Sequence, residues 1–339
     1  MRVSDRMTAR NYLKYLDHAK TNYAKTNERI ASGNRFIRIS DDVSAGTRVL
    51  RVRGDMTKSE EYYDNVKSIN EQMSSTENAI MSINDILGVV HSKKIVRALD
   101  ATAGESGRTA IANEIAAMKK EILQFANSKY NTQFVLGGST AKTPPFSLDK
   151  DGKMLYNGIA VDDIQKDLNG YFYMDGTDRK NIPMDDPIFA DIGLGIRMQG
   201  SDLESDTAFQ VSYSGLDILG FGKNADGTPQ NVYNLLDDIE GFIRENDIDN
   251  LRKYDDQLLI GIDKFTANLT DIGAKTNFLD TVQHRIEKDI DSYKTQLNTL
   301  MGINDAEEAM NQTMNDFVLK AVLQMGSNIL PMSLLDYLR

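Results

Sequence analysis

The 339-residue chain has no cysteine and no tryptophan, and only three histidines and six prolines. Without cysteine there is no disulfide, no thiolate metal site and no thiol nucleophile. This lack does not fix the compartment, because a cytosolic chain and one exported by a dedicated route could both do without it. His18, His91 and His284 lie far apart in sequence, and each reads as a polar residue on a helix face. Long apolar runs are missing as well: no window approaches the roughly 18 residues of a membrane span. The opening MRVSDRMTARNYLKYL lacks the apolar core and small-residue cleavage site of a removable secretory signal. Basic charge is in deficit, with 39 Lys and Arg against 50 Asp and Glu, a net charge of -11 and a pI near 4.9. Nucleic acid is therefore not an expected partner, since phosphate binding needs a basic face. No Gly-Lys-Ser/Thr phosphate loop, G-x-S-x-G elbow or His-Glu-x-x-His pair occurs. DKDGK, Asp149 to Lys153, fails as a calcium loop because Lys153 and Met154 fall where a ligand and a glycine are needed. It reads as a hairpin turn. GLGIRMQG, Gly193 to Gly200, has spaced glycines but no following helix pattern, so it is a weak nucleotide motif.

What is present is helical periodicity at both ends and its loss in the middle. Hydrophobic residues at 40% and charged residues at 26% are those of a folded chain, and the length calls for two or three structural units. Between Gly137 and Gln230 lie 13 of the 24 glycines and five of the six prolines. Short runs such as KMLYNG, GYFYM and FQVSYSG are separated there by the turn signals DKDG, DG and NADG. This window predicts a small β-rich unit. Outside it, apolar residues recur in steps of three and four. One line runs Val66, Ile69, Met73, Thr76, Ile80, Ile83, Leu87, Val90. A second runs Ile111, Ile115, Met118, Ile122, Phe125. The third runs from Leu258 through Ile262, Phe265, Leu269, Ile272, Thr276, Leu279, Gln283, Ile286, Ile290, Tyr293 and Leu297 to Leu300. Such lines predict helices packed side by side, the longest of them roughly 65 Å at 1.5 Å per residue. A rod uses that length; a globular core does not.

The two ends repeat the pattern. Ala9, Tyr12, Leu16, Ala19, Tyr23, Thr26 and Ile30 form one heptad line, and Met314, Val318, Ala321, Met325 and Ile329 form another. Each seam is too narrow to hold a helix alone in water, and the nearest partner for each is the other end. The expected fold is therefore mainly α, an elongated rod of long heptad-patterned helices drawn from both chain ends, with an inserted β-rich domain. The expected division is residues 1–40 with 303–339 as a terminal coiled-coil domain, 41–136 with 231–302 as a helical shaft, and 137–230 as the insert.

RIASGNRFIRISDDVSAG, Arg29 to Gly46, interrupts the helices with a charged joint. Gly33 permits the positive φ that closes a helix C-terminus. Asp41 or Asp42 can cap the helix that follows, with Arg35 and Arg38 near enough to pair with that acidic step. Periodicity alone leaves this as an ordinary helix–loop–helix connection with solvated charges. The stretch, however, resembles the signature of the flagellin family, carried by Arg29, Ser32, Gly33, Arg35, Asp41 and Asp42. DIGAKTNFLD, Asp271 to Asp280, is similar to a second family segment at Gly273, Ala274, Asn277 and Leu279, with Ile272 and Phe278 departing from it. INDAEEAM, Ile303 to Met310, resembles the family's joint into the C-terminal helix. NTQFVLGGSTAKTPPF, Asn131 to Phe146, and the small insert resemble the family's hook–filament junction members more than its filament subunits.

The resemblance covers about two thirds of the chain, the helical ends, and implies a structural role in the bacterial flagellum with no enzymatic activity and no metal or cofactor. It implies self-association in a ring, a hook-associated protein on one side, flagellin on the other, and a cytoplasmic export chaperone over the C-terminal helix. It also implies secretion by the flagellar type III route, without a membrane span. On this reading Tyr12, Leu16, Tyr23, Ile30, Met314, Val318, Ala321 and Met325 line the assembly seam. A small filament flagellin is the alternative in the same class. A helical enzyme or ligand-binding protein with a β-rich lid is the alternative outside it, and would require a pocket of convergent polar groups.

Overall fold

The computed structural model describes residues 2–100, 104–139, 143–167, 170–182, 187–195, 197–199, 202–203 and 208–329. Its helices are α1 (Arg2–Ser32), α2 (Val43–Val89), α3 (Val96–Leu99), α4 (Glu105–Ala126), α5 (Gly215–Leu219), α6 (Val232–Glu245), α7 (Ile248–Met301) and α8 (Asp305–Ile329). All the strands lie between α4 and α5, so the chain is mainly α with an inserted β-rich segment. Two compact units divide it, one of Met1–Glu60 with Glu287–Arg339 and one of Glu61–Ile286. The boundaries fall inside α2 and α7.

In the second unit the heptad lines become the core. All eight members from Val66 to Val90 are buried, Thr76 included. So are Ile111, Ile115 and Ile122 of α4, and Leu258, Phe265, Ile272, Leu279 and Ile286 of α7. Helices α2 and α7 run antiparallel here. Asn70 Nδ2 donates to Asp280 Oδ1 at 2.7 Å, Gln283 Nε2 to Tyr63 Oη at 3.3 Å, and His91 Nδ1 meets Asp255 Oδ1 at 2.7 Å. The α2 line ends at Val90, and the next buried apolar residue is Ile95, five positions on. A step of five leaves an α-helical seam. The turn from Val90 to Ile95 is instead π-helical, and its wider turn returns Ile95 to the buried face.

The β-rich part is built from short antiparallel pieces. Strands β1 (Lys129–Tyr130) and β2 (Gln133–Phe134) form a hairpin that begins ahead of Gly137. Strands β3 (Phe146–Leu148), β4 (Met154–Tyr156) and β5 (Ile159–Ala160) form one three-stranded sheet, and β6 (Ile164–Asp167), β7 (Gly170–Asp175) and β8 (Asp178–Asn181) another. Strand β9 (Phe189–Ala190) pairs with β12 (Phe209–Gln210), and β10 (Met198–Gln199) with β11 (Asp202–Leu203). DKDG is the β3–β4 turn: Asp149 Oδ1 accepts from the amides of Asp151 and Lys153 at 2.9 and 2.8 Å, and Gly152 has φ +83°. In GLGIRMQG, Gly193 and Gly195 adopt positive φ in a loop, while Ile196 and Gly200 lie outside the described residues.

The insert is joined to the helices by a shared core. Phe146 faces Tyr156 across the β3–β4 pair, ring centroids 5.1 Å apart, and both are buried in the same cluster as Leu87, Ile122, Leu236 and Phe265. Gly215 opens α5 against that cluster. A Cβ there would stand 2.7 Å from the Leu136 carbonyl and collide with the Phe146 ring, so only glycine fits.

Candidate assembly interface

The first unit consists of the chain ends and the joint. Helix α1 stops at Gly33, whose φ of +67° is the left-handed closure glycine supplies without strain. Asn34 then forms an isolated antiparallel bridge with Gly302, and the Arg35 amide donates to the Met301 carbonyl at 2.6 Å. The first joint is thereby tied to the second, which leads from α7 into α8. Of the two aspartates, Asp42 caps α2: its Oδ1 accepts from the Ala45 amide at 2.9 Å while its Oδ2 pairs with Arg35 at 3.2 Å. Asp41 accepts from the Arg38 amide at 3.3 Å and holds the turn. Phe36, Ala45 and Val49 are buried beneath this joint, with Leu297, Leu300 and Met301 packed on them.

Helices α1 and α8 pair antiparallel. Arg29 Nη1 meets Glu308 Oε1 at 3.5 Å, Gln312 Nε2 donates to Asn27 Oδ1 at 2.8 Å, and Asn315 Nδ2 donates to Thr26 Oγ1 at 2.8 Å. At the far end Tyr12 lies against Gly326. On α1 the contact follows the expected line: Tyr12, Leu16 and Tyr23 are half-buried and Ala19 and Thr26 buried, with Ile30 marginally exposed.

On α8 the contact does not follow the line read from sequence. Met314, Val318 and Met325 are exposed, at 66%, 42% and 60%, and of that line Ala321 alone is half-buried among the residues whose side chains are described. The residues facing α1 are Glu308, Gln312, Asn315, Leu319, Val322 and Gly326, all of them buried or half-buried. These also step by four and three, but the first three are polar, so an apolar count passes over them. Helix α8 thus carries two heptad lines: a polar-to-apolar inner one that meets α1 and an apolar outer one whose Met314, Val318 and Met325 are exposed. Met310 and Phe317, both 70% exposed, extend the outer face. In the second family segment Leu279 is fully buried, whereas Ala274 and Asn277 are exposed. A Cβ on Gly273 would make ordinary contact with Glu77, so its packing does not demand glycine.

One polar cluster escaped the sequence reading. Lys119 sits on the apolar stripe of α4, only 7% exposed, and reaches Asp237 Oδ1 at 2.5 Å and Glu240 Oε2 at 2.8 Å on α6. Lys153 bridges Asp237 and Asp238 at 3.0 and 2.6 Å. Burial works against the charged form of Lys119, but hydrogen bonds from its ammonium to Asp237 and Glu240 outweigh it and leave the pKa raised. Burial likewise opposes the ionised form of Asp237, yet the two lysines hold its carboxyl below the ordinary value. The cluster is a closed ion network that locks α4, α6 and the β3–β4 turn together, and its members are paired with one another. Among the described residues no three His, Asp or Glu are grouped so as to hold a metal, and no helix is long and apolar enough to cross a membrane.

Comparison with known proteins agrees with this architecture. Residues 3–141 match the family described as the bacterial flagellin N-terminal helical region. Over 151 residues the chain is 24% identical to flagellar hook-associated protein 3 of Escherichia coli (strain K12), a match covering 44% of this chain and 47% of that protein. The chain thus spans about half the length of the curated relative it matches. Among solved structures it is similar to a Vibrio parahaemolyticus chain assigned as a flagellar hook-associated protein, with TM-score 0.57 and 14% identity over 77% of this chain and 100% of that one. It is also similar to FlgL of Xanthomonas campestris, with TM-score 0.51 and 13% identity over 74% and 99% of the two chains. Over residues 3–141 this chain is similar to the N-terminal helical region of the bacterial flagellins, and it resembles flagellar hook-associated protein 3.

Proposed function

We propose that this protein is a non-enzymatic structural subunit of the bacterial flagellum, placed at the junction between the hook region and the filament. The observation that carries this reading is the pair of lines on α8. The inner line joins the two chain ends into one antiparallel helix pair, and the outer line leaves Met310, Met314, Phe317 and Met325 exposed along one face. Full burial of each such side chain contributes about 2 kcal/mol. Four of them offset the cost of fixing a subunit only when copies pack together. The exposed face is then the part of the seam buried between subunits. In this reading residues 1–40 with 303–339 form the assembly domain, 41–136 with 231–302 the shaft, and 137–230 the outward insert.

The same reading assigns a ring of identical subunits with a hook-associated protein on one side and flagellin on the other. The outer α8 face is the kind of surface a cytoplasmic export chaperone must cover before secretion by the flagellar type III route. Fluorescent labelling in intact cells tests the placement: signal confined to a point between hook and filament is expected, and signal along the whole filament supports the flagellin alternative instead. Purified protein is expected not to grow long filaments alone. Diffuse cytoplasmic signal in flagellated cells would overturn the placement.

A further inference from the structure

The charge of the first unit is divided between its two segments. Residues 1–60 hold thirteen Lys and Arg against seven Asp and Glu, whereas residues 287–339 hold four against eight. Some of this difference is used within the chain, as in the Arg29–Glu308 pair. Two of the surface places left over are complementary in charge. Between α2 and α7 runs an open groove of about 480 Å³, with Arg48, Arg51 and one carboxylate, Asp55, on one wall, Thr299 on the other and Val52 and Leu300 along it. Both arginines are exposed and neither has an ion pair among the described residues. On the first turn of α8, Asp305 and Glu307 are exposed and equally without one. Glu307 also heads the outer apolar line, three residues before Met310 and seven before Met314.

We propose that the Arg48–Arg51 groove receives the start of α8 from a second copy of this chain, with Glu307 against the guanidinium groups and Met310 on Val52 and Leu300. Asp305, two residues from Glu307 and so on another face of the helix, adds its charge at the rim. The proposal rests on the assembly reading above and specifies which surfaces meet. Guanidinium is suited to this contact because its planar donors engage a carboxylate in two parallel bonds and it sheds water more readily than an ammonium. Such a contact between different patches closes a pair when it is reciprocal and propagates when it is head-to-tail. In the ring of the proposed function it is head-to-tail, each copy leaving a free groove and a free helix start.

The test is a charge exchange in the full-length chain, read as self-association by sedimentation velocity at low salt. Arg48→Glu with Arg51→Glu makes the groove acidic, and Asp305→Lys with Glu307→Lys makes the helix start basic. Each double variant alone is expected to associate at least tenfold more weakly than the native chain. An equimolar mixture is expected to recover native association, because every groove then meets a helix start of opposite sign. Native-like association of either double variant, or no recovery on mixing, overturns the proposal. If Met314→Asp with Phe317→Asp abolishes association while both charge variants keep it, the apolar-face reading stands and this contact falls. The cysteine-free sequence provides a second measurement, independent of affinity. Chains carrying Thr299→Cys mixed with chains carrying Ala306→Cys are expected to form a mixed disulfide in excess of either homodimer under mild oxidation. Absence of that excess also overturns the contact.

Discussion

Tyr12 of α1 lies directly over Gly326 of α8, so close that a Cβ on residue 326 would fall inside the phenol group. This close approach packs the N-terminal part of α1 against the C-terminal part of α8. Gly326→Ala gains roughly 1 kcal/mol of helix propensity but must push the phenol aside, so a small net change is expected. Gly326→Leu has no such offset and is expected to free the N-terminal part of α1. Hydrogen exchange is expected to show lost protection over residues 8–20 with residues 61–286 unchanged. If protection persists in the leucine variant, Tyr12 does not fasten the pair.

Removing either member of that pair is expected to spare the second unit. Its main apolar cluster draws every buried member from between Ala79 and Ile272, none from α1 or α8. Deletion of residues 1–30, or of 310–339, is therefore expected to leave the principal calorimetric transition within about 2 °C of the full chain while abolishing incorporation into the flagellum. Collapse of that transition in either deletion would show the ends to be part of the core, and order on assembly would fail as a mechanism.

The joint yields a prediction on a smaller scale. Asp42 serves at once as the α2 cap and the partner of Arg35. Asp42→Ala is expected to cost about 1 kcal/mol from the cap, the exposed pair adding only a few tenths. Gly33→Ala places a side chain at φ +67°, a cost of about 1 kcal/mol, and Gly33→Asn less because asparagine tolerates that region. Local opening free energies over residues 43–50, from hydrogen exchange, are expected to rank wild type, Gly33→Asn, then Gly33→Ala with Asp42→Ala. An unchanged Asp42→Ala would mean the cap is made by another group.

How much of this was legible in the sequence depended on whether a position's role is recorded in its polarity. The lines from Val66 to Val90 and from Leu258 to Ile286 were legible because a buried helix face must be apolar, and the spacing of the apolar residues is the face. The joint was legible because glycine and aspartate have few other reasons to occupy positions 33 and 42. The inner face of α8 was not, because Glu308, Gln312 and Asn315 are satisfied by hydrogen bonds to Arg29, Asn27 and Thr26 of α1, and a polar heptad looks like a solvated one. The apolar line through Met314 and Met325 is legible from its spacing, but its neighbour is not: α1, the nearest candidate, leaves Met314, Val318 and Met325 exposed. The π turn after Val90 left a faint trace, the five-residue step to Ile95. Lys119 left none, since a lysine on an apolar stripe reads as a lapse in the pattern until Asp237 and Glu240 are placed beside it.

That ion network makes the pH dependence of the second unit a test of its own. Asp237 has a folded pKa below its ordinary 3.8, so its contribution is present above that value and is lost as pH falls through the folded one. Lys119 and Lys153 are raised above 10.5, so theirs is complete below that value and is lost as pH rises through the folded ones. Burial also raises the Tyr233 phenol, whose ring lies 5.6 Å from the Lys119 ammonium, and its ionisation steepens the same alkaline limb. Thermal stability is therefore expected to form a plateau with an acid and an alkaline limb. Asp237→Asn is expected to flatten the acid limb, Lys119→Met the alkaline one, and Tyr233→Phe to remove only the phenol's share of the latter. At neutral pH Lys119→Met strands Asp237 and Glu240 with Lys153 and Arg244 as their remaining partners. It is expected to cost about 3 kcal/mol, or roughly 8 °C for a unit of this size. A methionine variant as stable as the native chain, with both limbs unaltered, would mean that desolvation cancels the pairing and that the network fixes the register of α4 on α6 without strengthening it.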